Sequence, residues 1–335
     1  MKRMKKMWLL TFLIFSFSLI ACKGDDEDIA DIDLRSADVL VVGYVQVGAE
    51  SAWRMANTES FMSAFSDDRR YDFRFVDGQN NPALQRAAVY DFIAQEVDYI
   101  ILAPIEEHGW DEILAEARDA GIPVILSDRM IETLDETLFV TWVGGDFLKE
   151  GLDAINWLNN YLELIGRDNE PLNILHMQGT MGSSPQIGRT EGISRGIAEN
   201  NNLIIKEQKS GDFTMAKGEE VMEKWIKKYP LSEIDILIAE NDDMAFGAIR
   251  AMQTAGIKPG EDIIIISFDA GRNAVQAVAD GLINCTVECN PLHGPRVKQI
   301  IEMLESGVTL NKRQYINKGI HFDINNAARE VNNRF

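Results

Sequence analysis

The chain has 335 residues, 33 of them Lys or Arg and 53 Asp or Glu, for a formal net charge of −20. So acidic a surface repels phosphate backbones, which argues against nucleic acid as a partner. The four histidines, His108, His176, His293 and His321, are scattered without ligand spacing, so no metal site is expected.

From the N-terminus, Lys2, Arg3, Lys5 and Lys6 precede the apolar run WLLTFLIFSFSLIA, Trp8 to Ala21, in the layout of a signal peptide over residues 1–21. The run is shorter than the ~20 apolar residues that span a bilayer. It ends in Leu19-Ile20-Ala21-Cys22, which resembles the lipobox of bacterial lipoproteins and would make Cys22 the acylated first residue; the alternative is an ordinary signal peptide that contains a cysteine. Cleavage would remove four basic residues and no acidic ones, leaving 314 residues and a charge of −24. The stretch KGDDEDIADIDLRSAD that follows is acidic and poor in large apolar groups, which suits a solvated tether over residues 22–37. Nothing else in the sequence reads as a membrane span.

The remainder is longer than one hydrophobic core usually organises, so two lobes are expected. Val- and Ile-rich runs (VLVVGYVQV, FRFVDG, YIILAPI, IPVILSD) alternate with longer stretches of helical period such as NPALQRAAVYDFIAQ. A second series follows in LNILHMQG, IIKEQKSGD, IDILIAEND and DIIIISFDA. Continuously apolar strands separated by amphipathic helices predict parallel sheets covered on both faces, hence two successive doubly wound α/β lobes. The stops Gly121 to Pro123 and Gly256 to Pro259 read as helix C-caps. Cys285 and Cys289 lie four apart on a strand-like segment. Their Cα atoms would be ~13 Å apart, whereas a disulfide needs less than ~7 Å, so the two are not expected to pair with each other.

In an open parallel sheet ligands bind at the carboxyl ends of the strands, so the polar residues just after each apolar run carry the information. They are Glu50, Ser51, Trp53 and Arg54; Asp128 and Arg129; Arg189, one turn into a helix; Asp212 and Phe213; Asn241, Asp242 and Asp243; and Asp269. Carboxylates, amides and guanidinium forks can each grip neighbouring hydroxyls, and aromatic faces cover the C–H side of a sugar ring, so the set suits an uncharged polyol. Structural alternatives stand beside this. Asp212 and Asp243 serve equally as helix caps, Trp53 as a core anchor, and Asp128 with Arg129 as an ion pair.

These residues lie in VGYVQVGAESAWRMA, the long stretch from VDGQNN to VILSDR, QGTMGSSPQIGRTEGI, SGDFTMAKGEEVME and ENDDMAFGAIRAM, and from Val39 to Ala328 the chain resembles the type I periplasmic sugar-binding proteins. Within the ribose-binding-like family it is most similar to the galactofuranose-binding branch, through Glu50-Ser51-x-Trp53-Arg54. The resemblance implies sugar contacts at Glu50, Trp53, Arg54, Asp128, Arg129, Arg189, Asn241 and Asp269, with Phe213 as an aromatic lid. Ribose-type relatives carry an amide near Cys289, a contact that Glu288 or Asn290 would have to replace. It also implies three interlobe crossings, near Thr141 to Gly145, Val287 to Pro291 and Tyr315 to Gly319. An N-terminal lobe would comprise 38–142 and 290–317, and a C-terminal lobe 143–289 and 318–335, closing on the sugar by a hinge. The expected duty is monosaccharide capture by a monomer and delivery to an ABC permease, or sugar sensing for chemotaxis or a sensor kinase. No cofactor is expected.

A sugar-sensing transcription factor would carry a helix-turn-helix where the signal peptide and tether stand. An enzyme is disfavoured because no GxSxG, HExxH or P-loop occurs. His176, inside an apolar strand, reads as a satisfied core residue, and QGTMGSS lacks the P-loop lysine.

Overall fold

The computed structural model describes residues 39–316 and 319–335, so the signal peptide, tether and Cys22 lie outside the described residues. In chain order the first elements are β1 (Leu40–Gln46), α1 (Ala52–Phe65), β2 (Tyr71–Asp77), α2 (Pro82–Ala94), β3 (Tyr99–Leu102), α3 (Asp111–Asp119), β4 (Val124–Ser127) and β5 (Thr141–Gly144). There follow α4 (Phe147–Ile165), β6 (Leu172–Gln178), α5 (Ser184–Ala198), β7 (Leu203–Ser210), α6 (Met215–Lys228), β8 (Ile236–Ala239), α7 (Asp242–Thr254), β9 (Ile264–Asp269), α8 (Arg272–Ala279) and β10 (Cys285–Glu288). The chain then continues through α9 (Gly294–Glu305), β11 (Arg313–Tyr315), β12 (His321–Asp323) and α10 (Ala327–Glu330).

Among the described residues the strands form two six-stranded sheets, ordered β11-β5-β4-β3-β1-β2 and β12-β10-β9-β8-β6-β7. Every pairing is parallel except the antiparallel β10–β12 edge. The apolar runs explain this. The central strands YIIL, VILS and ILIA are buried at every position, as helices on both faces require, whereas the outer strands β2 and β7 carry exposed Asp72, Asp77, Gln208 and Lys209. Each sheet therefore has a core on either side. In the first, Val89, Leu114 and Leu126 pack on one face and Phe61, Phe65 and Ile300 on the other; in the second, Met222, Trp225 and Met252 oppose Ile155, Leu158 and Ile193.

Both sheets reverse strand order beside their first strand, between β1 and β3 and between β6 and β8, and such reversals open a crevice at the carboxyl ends. The chain passes from one sheet to the other after Gly144, after Glu288 and between Tyr315 and His321. The result is two doubly wound lobes joined by three segments. Among the described residues no helix is long and apolar enough to cross a membrane.

Candidate ligand-binding cleft

One cavity between the lobes, with an empty volume of about 300 Å³, is lined by ten of the thirteen residues selected above, Glu50, Ser51, Trp53, Arg54, Asp128 and Arg129 from the first lobe and Arg189, Phe213, Asn241 and Asp269 from the second, whereas Asp212, Asp242 and Asp243 do not line it. Phe147, Pro185 and Cys289 complete the lining.

On the first lobe, Ser51 caps α1, its Oγ accepting from the Arg54 amide at 3.1 Å, which brings Trp53 and Arg54 into the first helical turn. Arg54 reaches three acceptors: Nη2 donates to Asp128 Oδ2 at 2.7 Å, Nε to Glu50 Oε1 at 3.1 Å and Nη1 to Gln46 Oε1 at 3.1 Å. Burial opposes its charge, but Asp128 and Glu50 outweigh that and hold the guanidinium above its ordinary range. Arg129 is less well served. Its Nη1 donates to the Ile105 carbonyl at 3.1 Å, its Nη2 lies 3.5 Å from Glu50 Oε1, and burial together with neighbouring Arg54 brings it down to about 10. Among the described residues, the buried side-chain polar atoms with no hydrogen-bond partner are Glu50 Oε2 and Arg129 Nε, both on cavity-lining residues.

On the second lobe, Arg189 from α5 donates through Nε to Glu150 Oε2 at 2.9 Å, through Nη1 to the Glu240 carbonyl, and through Nη2 to Asp269 Oδ1 at 3.3 Å. Burial again opposes the charge and Glu150 and Asp269 overcome it, so Arg189 is held above its ordinary range. Asp269, pushed well up by burial, is in turn restrained by Arg189. The Phe213 ring lies over Gly179, where a Cβ would stand 1.9 Å from it, so only glycine leaves room. The Gly179 amide is tied to Glu240 Oε2 at 2.8 Å, and Glu240 Oε1 also meets His176 Nε2 at 2.9 Å, so His176 is a satisfied core residue as its strand position suggests. Asn241 caps α7 through the Met244 amide at 2.9 Å and donates from Nδ2 to the Phe213 carbonyl at 3.0 Å, anchoring the aromatic. Asp128, Asp212, Phe213, Asp269 and Ala270 all adopt positive φ, a conformation that costs free energy for residues other than glycine and that the surrounding structure must hold in place.

Three expectations change. Thr214 and Asn241, not Asp212 and Asp243, cap α6 and α7. Asp243 instead accepts from the Ala52 amide at 2.9 Å across the cleft, where Met130 N also donates to Ser184 Oγ at 2.9 Å. The close partner of Asp128 is Arg54, with Arg129 Nε out at 4.0 Å. Trp53 fills both roles considered for it, since it packs in the core, donates from Nε1 to the Cys289 carbonyl at 2.8 Å and lines the cavity. Cys285 and Cys289 are free thiols, and burial raises both. Sequence reasoning missed Phe147, Pro185 and the buried Glu150 behind Arg189; the signal available was their place just after a crossing (Gly144-Gly145-Asp146) and at a helix start.

Two doubly wound lobes with a polar cleft across three crossings define a type I periplasmic binding protein. Residues 42–303 match the family described as "Periplasmic binding protein domain", and the chain belongs to that family. It is 39% identical over 275 residues to the galactofuranose-binding protein YtfQ of Escherichia coli K12, covering 82% of this chain and 85% of that one. A Mycobacterium smegmatis protein solved in complex with β-D-fucofuranose superposes with a TM-score of 0.83 at 40% identity, covering 88% of this chain and 94% of the other. The periplasmic component of the arabinose ABC transporter of Shewanella sp. ANA-3, bound to α- and β-L-arabinofuranose, gives 0.82 at 38% identity, covering 88% and 95%.

Proposed function

We propose that this protein captures a monosaccharide in its furanose form, galactofuranose or a close analogue, without covalent chemistry, and delivers it as a monomer to an ABC importer. The observation that carries the reading is the composition of the cleft: three guanidinium forks, carboxylates and the aromatic side chains Trp53, Phe147 and Phe213 converge from both lobes, and two buried polar atoms there lack partners. Arginine forks donate to hydroxyl and ring oxygens while Glu50, Asp128 and Asp269 accept from hydroxyl protons. The furanose ligands named for the relatives support the ring form. Lobe closure follows from division of the site, because a ligand touching both faces favours the closed state by its differential affinity. The run ending at Cys22 supports an extracytoplasmic, lipid-anchored location, facing the periplasm or the cell surface.

Calorimetry with L-arabinose, D-fucose, D-galactose, D-ribose and methyl β-D-galactofuranoside tests the reading. Methyl β-D-galactofuranoside, locked in the five-membered ring, should bind, and D-ribose, which populates furanose forms readily but with a different hydroxyl pattern, should bind more weakly than the galacto-configured sugars. Binding of an amino acid or an ion in place of any sugar would overturn it.

A further inference from the structure

Asp242 does not line the cavity, yet it lies beneath one of the cavity's acids. Asp269 ends β9 with φ 103° and Ala270 follows with φ 56°, two successive residues in a conformation that costs free energy for any side chain. Something must hold them there. Gly271 N donates to Asp242 Oδ2 at 2.9 Å, and Ala270 N donates to Thr286 Oγ1 at 3.2 Å. Thr286 Oγ1 in turn donates its one proton to Asp242 Oδ1 at 2.9 Å, which orients its lone pairs toward the Ala270 amide. A further donor, Ser267 Oγ, reaches the same Oδ1 at 2.6 Å and bonds to Asp242, not to the turn. On the carbonyl side, Cys289 N donates to Asp269 O at 3.2 Å and Arg334 Nε to Ala270 O at 2.8 Å. Both amides that follow Asp269 therefore lead back to one carboxylate, which is only 6% exposed and at the first turn of α7.

We infer that Asp242 is a positioning residue for the ligand site: directly through Gly271 and by relay through Thr286, it fixes the Asp269-Ala270-Gly271 turn so that the Asp269 carboxylate meets Arg189 and the ligand. The inference rests on the reading that Asp269 and Arg189 hold a sugar.

The test combines calorimetry against L-arabinose and methyl β-D-galactofuranoside with amide hydrogen exchange of ligand-free protein, on wild type, Asp242→Asn, Thr286→Val and Ser267→Ala. Asp242→Asn leaves one acceptor oxygen and an amide NH2 where two acceptor oxygens stood, so it cannot receive both the Gly271 N–H and the Thr286 hydroxyl. It should lose protection at Gly271 or Ala270 and at least tenfold in affinity. Thr286→Val, of similar volume, should lose Ala270 protection and also bind more weakly, and it serves if Asp242→Asn fails to fold. Ser267→Ala, which loses a bond to the same carboxylate but none to the turn, should keep both protection and affinity. Asp242→Asn placed in an Asp269→Asn background should cost no further affinity. The inference is overturned if Asp242→Asn and Thr286→Val bind as wild type does, or if Asp242→Asn costs the same factor with and without Asp269. Should wild type bind neither sugar, the sugar reading fails on its own; exchange then decides the turn, with protection lost in Asp242→Asn upholding the inference and protection retained overturning it.

Discussion

Arg189, on the second lobe, has every guanidinium nitrogen bonded, to Glu150, the Glu240 carbonyl and Asp269, whereas the Nε of Arg129 on the first lobe has no hydrogen-bond partner. The acids differ in the same way: Asp269 faces Arg189, while Glu50 leaves Oε2 unmatched. A buried polar atom without a partner costs more than a made bond returns, so the first-lobe face holds hydrogen-bonding capacity still to be met and the second-lobe face is an assembled frame. Under the proposed function, removing Arg189 from the second face should therefore register mainly as lost stability, and altering Glu50 on the first mainly as lost affinity.

The largest effect should come from Arg189→Met. It leaves Glu150 and Asp269 buried together without their cation, a change that should destabilise by about 3–5 kcal/mol. Urea unfolding measures this, and a variant as stable as wild type would break the contrast.

The next test uses acidity, because two buried groups titrate with opposite sign. His293, between Ser127 Oγ at 3.0 Å and the Asn290 carbonyl at 2.8 Å, is brought by burial from 6.5 down to about 4. The folded state resists its protonation, so its contribution is complete above pH 6.5 and is lost as pH falls toward 4, about 3 kcal/mol in all. Asp242 is pushed by burial from 3.8 up to about 7, so the proton it retains favours folding at low pH and that benefit disappears as pH rises from 3.8 through 7. Unfolding from pH 4 to 8 should show His293→Gln gaining on wild type toward the acid end and Asp242→Asn gaining toward the neutral end. Differences that stay flat with pH would contradict both assignments.

Glu50→Gln probes the first face. It removes a charged acceptor, worth about 1.5–3 kcal/mol, so sugar affinity should fall by about ten- to a hundredfold, and the loss measured by calorimetry should exceed the loss of stability. The reverse ordering would place Glu50 in the frame. The smallest effect belongs to Asp243→Ala, which removes one bond between the lobes, the Ala52 amide to Asp243 at 2.9 Å. About 0.5–1.5 kcal/mol corresponds to roughly twofold to tenfold in affinity, and small-angle scattering of the ligand-free variant should show a larger radius of gyration than wild type.

The fold was legible because strands buried on both faces read as unbroken apolar runs, and the lining residues because they sit just after those runs. Their partners were not legible. The Arg54–Asp128 pair is 74 residues apart in sequence and Arg189–Asp269 is 80, so which acid serves which base depends on how neighbouring strands align. Capping misled for a similar reason: Asn241-Asp242-Asp243 offers three plausible caps in a row, and backbone conformation alone decides that Asn241 takes the role. Asp242 then becomes free to turn under the neighbouring strands toward Ser267 and Thr286, which no local pattern announces.

The three crossings also set an order of completion. The first lobe begins at β1 but borrows α9 and β11 from beyond β6 to β10 of the second lobe: Gly294 N donates to Ser60 Oγ at 3.0 Å, 234 residues apart, and β11 pairs with β5. Until those late residues arrive, the side of α1 that bears Phe61 lacks its cover and β5 presents a bare edge, the kind of surface that invites aggregation. A chain growing from its N-terminus would thus lay down β6 to β10 of its second lobe before it could seal its first, and would add the second lobe's own last pieces, β12 and α10, only after that.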